Sequence, residues 1–504
     1  MERAYQYLRS QLRGIETFVS PGEWYRHISV NLRTCREHVS RIPLGPLTKV
    51  LVAFTMILSL VMVYFDWAQF AEMREAMRRS PWGIGFLAAT LVFMACNLAY
   101  FIWQVVCFFR YRPSPPVSDE QLPSCTVVVP AYNEGQQVLV TLRSLAASDF
   151  PAEKLQIIAV DDGSRDDTWR WMCEAKRELG ARVQIIRLPK NEGKRHALNE
   201  GFQSSTGETL VTVDSDSIVE PCTLRNLLAP FVDNPGCGAV AGNVRVLNLH
   251  EGFLPRMLDV SFVYSFEFVR SAQSVVGSVL CTPGALSAYR REPTMKVLPE
   301  WLSQTFLGKK SDIGEDRAMT NMILRQGFTV LFQGNSLVYT NVPTNYHDLC
   351  RMLIRWARSA VRENVDMNRF AFRKFREGSC AGARVHLLMQ WFWTAGTPLF
   401  LIATAACLVW QPFLFMVNIL GGLAVMCSVP ALLYAWRCRV EEAVWAYAFG
   451  MFNLAALSWI GPYSLLTMHK SGWLTRQLPA TAAAPADGDG DKTENDDDTT
   501  SLAA

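Results

Sequence analysis

The chain has 504 residues, of which 50% are hydrophobic and only 19% charged, against about 25% charged in an average soluble domain. That balance speaks against a wholly soluble protein and for membrane segments joined to a soluble part, with room for about three domains. The net charge is +3 and no basic stripe stands out, which excludes nucleic acid as the expected partner. The 13 cysteines form no CxxC pair, and Cys96, Cys107, Cys407 and Cys427 lie inside apolar runs, so they read as reduced core or lipid-facing residues.

Taken in chain order, residues 1–48 form an Arg-rich leader, and no cleaved signal peptide is expected behind it, because no small-residue cleavage site follows the first apolar run. Residues 49–110 hold two apolar segments, 50–65 and 82–109. A bilayer core takes about 20 apolar residues in a helix. The second segment reaches that length; the first is short and would rely on Lys49 and Trp67 at the interface. Arg26, Arg33, Arg36, Arg41 and Lys49 precede this pair and Arg110 and Arg112 follow it, so the positive-inside rule makes it a hairpin with both flanks cytosolic.

Residues 111–345 alternate apolar runs with helical patterns. Strands are expected at 126–130, 155–161, 183–188 and 209–214, and helices at 137–147, 168–179 and 195–204. Strands alternating with helices imply an α/β domain with a parallel sheet. Such a sheet binds ligands outside the carboxyl ends of its strands. Residues 346–384 form an amphipathic, Arg-rich interface region, and 385–476 hold three further apolar segments at 386–410, 413–436 and 444–468. The third and fourth share a turn at Gln411 and Pro412, and Arg437 with Arg439 returns the chain to the cytosol. The fifth is followed by His469, Lys470 and Arg476, which also read as cytosolic, and one crossing cannot have both ends inside. Gly450, Gly461 and Pro462 permit a broken, re-entrant path, which is the expectation adopted. The acidic tail 477–504 lacks periodicity and is expected to be disordered.

Chemistry-bearing residues cluster at the expected strand ends. Pro130 to Glu134 (with Tyr132) follows the first strand, Asp161, Asp162, Gly163 and Ser164 the second, and Asp214, Ser215 and Asp216 the fourth. Each alone is ordinary turn chemistry, but three acidic clusters at successive strand ends would converge on one rim. Hard carboxylate oxygens two residues apart at Asp214 and Asp216 suit Mg2+ or Mn2+ that bridges to substrate phosphates. Lys194 and Arg195 stand where a helix begins, a place for a diphosphate or merely for solvated first-turn cations. Asp316, in Gly314, Glu315, Asp316 and Arg317, reads as a general base, as a helix N-cap, or as both. Arg355 and Trp356 would pair a guanidinium fork for phosphate with a ring face for a sugar, or anchor an interfacial helix.

In order, Asp161-Asp162-Gly163, Asp214-Ser215-Asp216, Gly314-Glu315-Asp316 and Arg355-Trp356 resemble the motif set of processive family 2 glycosyltransferases, the group of hyaluronan, chitin and cellulose synthases. The stretches 312–321 and 355–363, with Trp473, Leu474, Thr475 and Arg476, look most like hyaluronan synthases. The resemblance runs from the second membrane segment to Arg476. It implies a GT-A nucleotide-diphospho-sugar transferase domain, with a mostly parallel sheet, embedded between α-helical transmembrane segments of a multi-pass cell-membrane protein. It further implies that Tyr132, Glu134 and Asp162 border the nucleoside. Lys194, Asp214 and Arg355 would hold the diphosphate, Asp214 and Asp216 a Mg2+ or Mn2+, and Glu315 and Trp356 the acceptor, with Asp316 as catalytic base. Expected partners are UDP-GlcNAc, UDP-GlcA or UDP-Glc, a growing β-linked polysaccharide, and the bilayer through which that polymer is extruded. Met352 stands where the family has Gln, and residues 281–290 depart from the hyaluronan synthase loop, so sugar identity does not transfer. The rival readings are a non-processive enzyme that adds one sugar to a lipid acceptor and an inactive, transferase-like scaffold or export subunit.

Overall fold

The computed structural model describes residues 78–470 apart from 411 and 439, with scattered positions between 46 and 75. The leader, most of the first apolar segment, Trp67, residues 473–476 and the tail therefore lie outside the described residues.

Ten strands are present: β1 (Cys125–Ala131), β2 (Leu155–Asp161), β3 (Val183–Arg187), β4 (Thr209–Val213), β5 (Ser217–Val219), β6 (Cys237–Val246), β7 (Leu286–Arg290), β8 (Thr305–Phe306), β9 (Lys309–Lys310) and β10 (Thr329–Thr340). Eight form one sheet in the order β3-β2-β1-β4-β7-β6-β10-β5, and β8 pairs with β9 in a separate hairpin. The half of the sheet from β3 to β4 is parallel, as the alternation of runs requires. The other half is mixed: β7 runs antiparallel to both β4 and β6, and β5 antiparallel to β10, while β6 and β10 are parallel. The expected sheet was thus right in its first four strands and too uniform beyond them.

Helices cover both faces. One apolar layer joins Val127 and Val129 of β1 to Leu139, Leu142, Met172 and Leu227 from three helices. The opposite layer joins Val128 and Ile158 to Leu198, Phe202, Trp301 and Met319. Alternate residues of β1 therefore serve opposite cores, which is why all seven are buried. Gly201 lets the helix Lys194–Gln203 lie hard against β1, since a Cβ there would come within 2.3 Å of Val128 Cγ1. This contact fixes the height at which Lys194 leaves the sheet.

Among the described residues, two helices are long and apolar enough to cross a membrane, Pro81–Arg110 and Ile419–Arg437. The third and fourth apolar segments lie in helices Ala381–Trp410 and Pro412–Arg437. The fifth is a broken pair, Glu441–Leu457 and Ile460–Leu466, bent by 43°. Pro462 lacks the N–H that would bond the carbonyl of residue 458, which accounts for a break there. The α/β domain is tied to these helices by polar bonds. Tyr111 donates to the Phe332 carbonyl and accepts from Gly334 N–H, both at 2.8 Å. Tyr434 donates to Asp259 at 2.7 Å, and Arg437 and Arg245 flank Glu267 at 3.2 and 3.3 Å.

Candidate active site

Because β2, β1 and β4 are adjacent and parallel, their carboxyl ends fall on one rim. The chain leaves them at Asp162, Tyr132 and Asp214, so the three acidic clusters do meet there. Glu134 accepts a hydrogen bond from Ser215 at 2.8 Å, which joins the first cluster to the third. Asp162 is buried, and its two oxygens accept from the amides of Glu192 and Gly193 at 2.9 Å each. Burial raises its pKa to about 6 despite those amides. Asp162 thereby holds the loop that delivers Lys194. Asp216 accepts from Thr340 Oγ1 of β10 at 3.2 Å.

Lys194 opens the helix Lys194–Gln203 and reaches across the rim. Its Nζ lies 2.5 Å from Asp214 Oδ1 and 3.2 Å from Glu315 Oε1. Burial works against its charge, but the two carboxylates more than offset that and hold its pKa above the usual lysine value. The neighbouring cation behaves differently from expectation. Arg195 is turned inward, over the Trp301 ring, with Nη1 donating to the Trp301 carbonyl and to Gln304. Adjacent residues on a helix point about 100° apart, so only Lys194 faces the rim.

The helix Glu315–Arg325 starts at Gly314, which sits at φ 77° and is the N-cap. Asp316 is thus a first-turn residue and not the cap. A Cβ at Gly314 would lie 2.0 Å from Ser359 Oγ, so the glycine also allows the helix Tyr346–Ala371 to pass close by. The two acids at this end ionise differently. Burial opposes the charge of Glu315, but Lys194 and Arg355 hold its pKa below the usual value. For Asp316, burial and the Glu315 charge push the pKa up. Neighbouring carboxyls whose surroundings drive them apart are the pattern expected of acid–base groups.

Arg355 therefore acts on the site through Glu315. Trp356 lies one residue on, 42% exposed, with its ring 6.1 Å from that of Phe262. Met352 is buried in the core behind them, so apolar packing replaces the polar side chain of the resemblance. Trp356 flanks the site as an open ring face.

Three residues near the site escaped the sequence reading. Cys281 Sγ lies 3.6 Å from Asp316 Oδ2. Arg270 has Cys281 and Asp316 as electrostatic neighbours. Glu363 joins the helix Glu315–Arg325 to the Arg-Trp helix, accepting from Asn321 at 2.9 Å and Gln304 at 3.0 Å. Cys281 and Glu363 lie at the ends of the stretches 281–290 and 355–363, whereas Arg270 sits in no pattern that would single it out. A cleft of about 1730 Å³ between Tyr100, Trp103, Gly277 and Lys374 includes none of these residues.

A family model described as glycosyltransferase like family 2 matches residues 123–359. An N-acetylglucosaminyltransferase from Mesorhizobium japonicum is 31% identical over 376 residues, covering 72% of this chain and 84% of that protein. One from Rhizobium meliloti is 31% identical over 378 residues, covering 72% and 83%. Among solved structures, a mannosyltransferase from Pyrobaculum calidifontis in complex with GDP-Man and Mn2+ aligns at 22% identity with a TM-score of 0.49, over 72% of this chain and 99% of that one. A GT-A sheet with acidic strand ends, matched by this family model, defines an enzyme that transfers a sugar from an activated donor. The chain belongs to the family 2 glycosyltransferases.

Proposed function

We propose that this enzyme is a processive, inverting transferase that builds a β-linked polysaccharide from UDP-sugars and extrudes it across the cell membrane, with its catalytic domain on the cytosolic side. The observation that carries this reading is the cluster of Lys194, Asp214, Glu315 and Asp316 on the sheet rim, beside the helix that bears Arg355 and the open Trp356 ring. UDP-GlcNAc is the first donor to test, because the relatives are N-acetylglucosaminyltransferases; UDP-GlcA and UDP-Glc are the alternatives. Tyr132, Glu134 and Asp162 line the side of the rim assigned to the nucleoside.

The chemistry follows from the residues. Asp316, whose raised pKa suits a base, takes the proton of an acceptor hydroxyl. The oxygen bonds to the anomeric carbon as the carbon–phosphate oxygen bond breaks, and the electron pair leaves on the diphosphate. Lys194 and Arg355 neutralise that charge, a preorganised electrostatic role. Asp214 and Asp216 fit Mg2+ or Mn2+: two carboxylates suffice where phosphate oxygens complete the shell, and among the described residues no larger acidic cage exists. The cation supplies charge neutralisation at the leaving group, and Lys194, now on Asp214, marks where positive charge is wanted. Glu315 and Trp356 hold the acceptor, the ring by stacking.

Purified protein in nanodiscs with Mg2+ and UDP-GlcNAc, alone and paired with UDP-GlcA or UDP-Glc, should release UDP and form long product, and EDTA should stop it. Single-sugar transfer to a lipid would favour the non-processive rival. Asp316→Asn should lose at least about 100-fold in turnover, the scale of general-base catalysis, while keeping its fold; near-normal UDP release would remove Asp316 from the role of base.

A further inference from the structure

One buried cation among the electrostatic neighbours of Asp316, Arg270, has no assigned task. The helix Phe253–Phe262 runs into a wide helical turn, Val263–Val269, before the short helix Arg270–Val275. Such a turn carries an extra residue and re-aims the side chains after it, and it recurs at functional sites. Here it delivers Arg270. The guanidinium carbon lies 3.8 Å from the Phe266 ring centre, which serves as its apolar bed. Nη1 is sealed from solvent and has no hydrogen-bond partner among the described residues. Leaving such a donor unpaired is costly. Its electrostatic neighbours are Cys281 and Asp316, and the Cys281 thiol stands 3.6 Å from Asp316 Oδ2.

We propose that Arg270 is a positioning residue for Asp316, whose guanidinium, acting across Cys281, keeps the carboxylate charged and aimed at the acceptor hydroxyl. This rests on Asp316 being the base. The groups around Asp316 show why such a cation is needed. Glu315 faces it with negative charge, and Tyr289 and Cys281 are buried, neutral neighbours. Lys194 and Arg317 favour its charge, and Arg195 acts from further off. Lys194 is already shared between Asp214 and Glu315, and a bound diphosphate would compete for it as well. Arg270 forms no ion pair among the described residues, and with Arg317, whose like charge opposes it, it is a cation left free for Asp316.

The test is the pH–rate profile of UDP release by the full-length protein in nanodiscs with Mg2+ and UDP-GlcNAc. Asp316 must be ionised to act, so activity falls as pH drops through its pKa. Arg270→Met removes the charge and should move that acid limb up by about one pH unit, with a loss that approaches about tenfold on the acid side of the limb and vanishes on the plateau above it. Arg270→Lys keeps the charge and should leave the limb in place while lowering kcat, because the fork geometry is lost. UDP binding should be retained in both, since the diphosphate residues are elsewhere. An Arg270→Met limb at the wild-type position overturns the proposal, and so does an upward shift in Arg270→Lys. Should Arg270→Met lose its fold, Arg270→Gln is read in its place by the same criteria. A failure of the base assignment shows separately, as turnover in Asp316→Asn.

Discussion

At the scale of single residues, Lys194 decides the charge balance of the rim. It pairs with Asp214 and Glu315 at once, so the two carboxylates share one cation. Lys194→Met should raise the KM for the nucleotide sugar by at least about tenfold, from the loss of charge-assisted bonds worth about 1.5–3 kcal/mol each; an unchanged KM would remove Lys194 from the donor site. Gly314 is the second decisive residue. Alanine there meets both the left-handed φ, at about 1–2 kcal/mol, and the Ser359 hydroxyl. Gly314→Ala should lower the melting temperature in detergent, and adding Ser359→Gly should recover only the part due to the clash. Full recovery would mean that the backbone conformation carries no strain.

At the scale of elements, the base-bearing helix Glu315–Arg325 and the Arg-Trp helix Tyr346–Ala371 are joined through Glu363, whose pKa burial raises from 4.5 to about 7. A carboxyl with a folded-state pKa above its unfolded one is held protonated by the fold. Its stabilising contribution is therefore complete below about pH 4.5 and is lost as pH rises through about 7, roughly 3 kcal/mol in all. Glu363→Gln should flatten the fall in melting temperature between pH 5 and 8; an unchanged slope would place the titration elsewhere. Elements also show what a sequence makes legible. Strands β1, β2 and β4 lead into acids after apolar runs, so both their existence and their shared rim could be read. Strands β6 and β10 could not: β6 is buried along its whole length and carries Gly238 and Gly242, so neither alternation nor an acidic terminus marks it. The rim residues Lys194, Asp214 and Asp316 were legible as types at strand and helix ends. The inward turn of Arg195 and the delivery of Arg270 were not, because both depend on helical phase, and a wide turn resets that phase without a sequence signature.

At the scale of the whole molecule, the catalytic domain is held between membrane helices. At its base, Arg358 donates to Thr467, and Arg362 to the carbonyls of Met468 and Lys470, so the Arg-Trp helix grips the end of the bent fifth segment. The helix Pro81–Arg110 does the equivalent on the other flank. A helix of 30 residues is about 45 Å long, and the hydrocarbon core is about 30 Å thick. The surplus carries the buried Gln104, Cys107 and Phe108 and ends at Tyr111, which is bonded to Phe332 and Gly334 of β10. Earlier on the same rod, Asn97 and Tyr100 are bonded to Trp393 and His386 of the next membrane helix. One inserted alanine after Ile102 would turn these two sets by about 100° against each other. It should lower the yield of folded protein and abolish turnover, whereas normal activity would mean that the two sets are independent. The rod thus acts as a gauge and a compass needle together: its length sets how far the α/β domain stands from the apolar end of the helix, and its phase sets the bearing on which that domain meets the helix Ala381–Trp410.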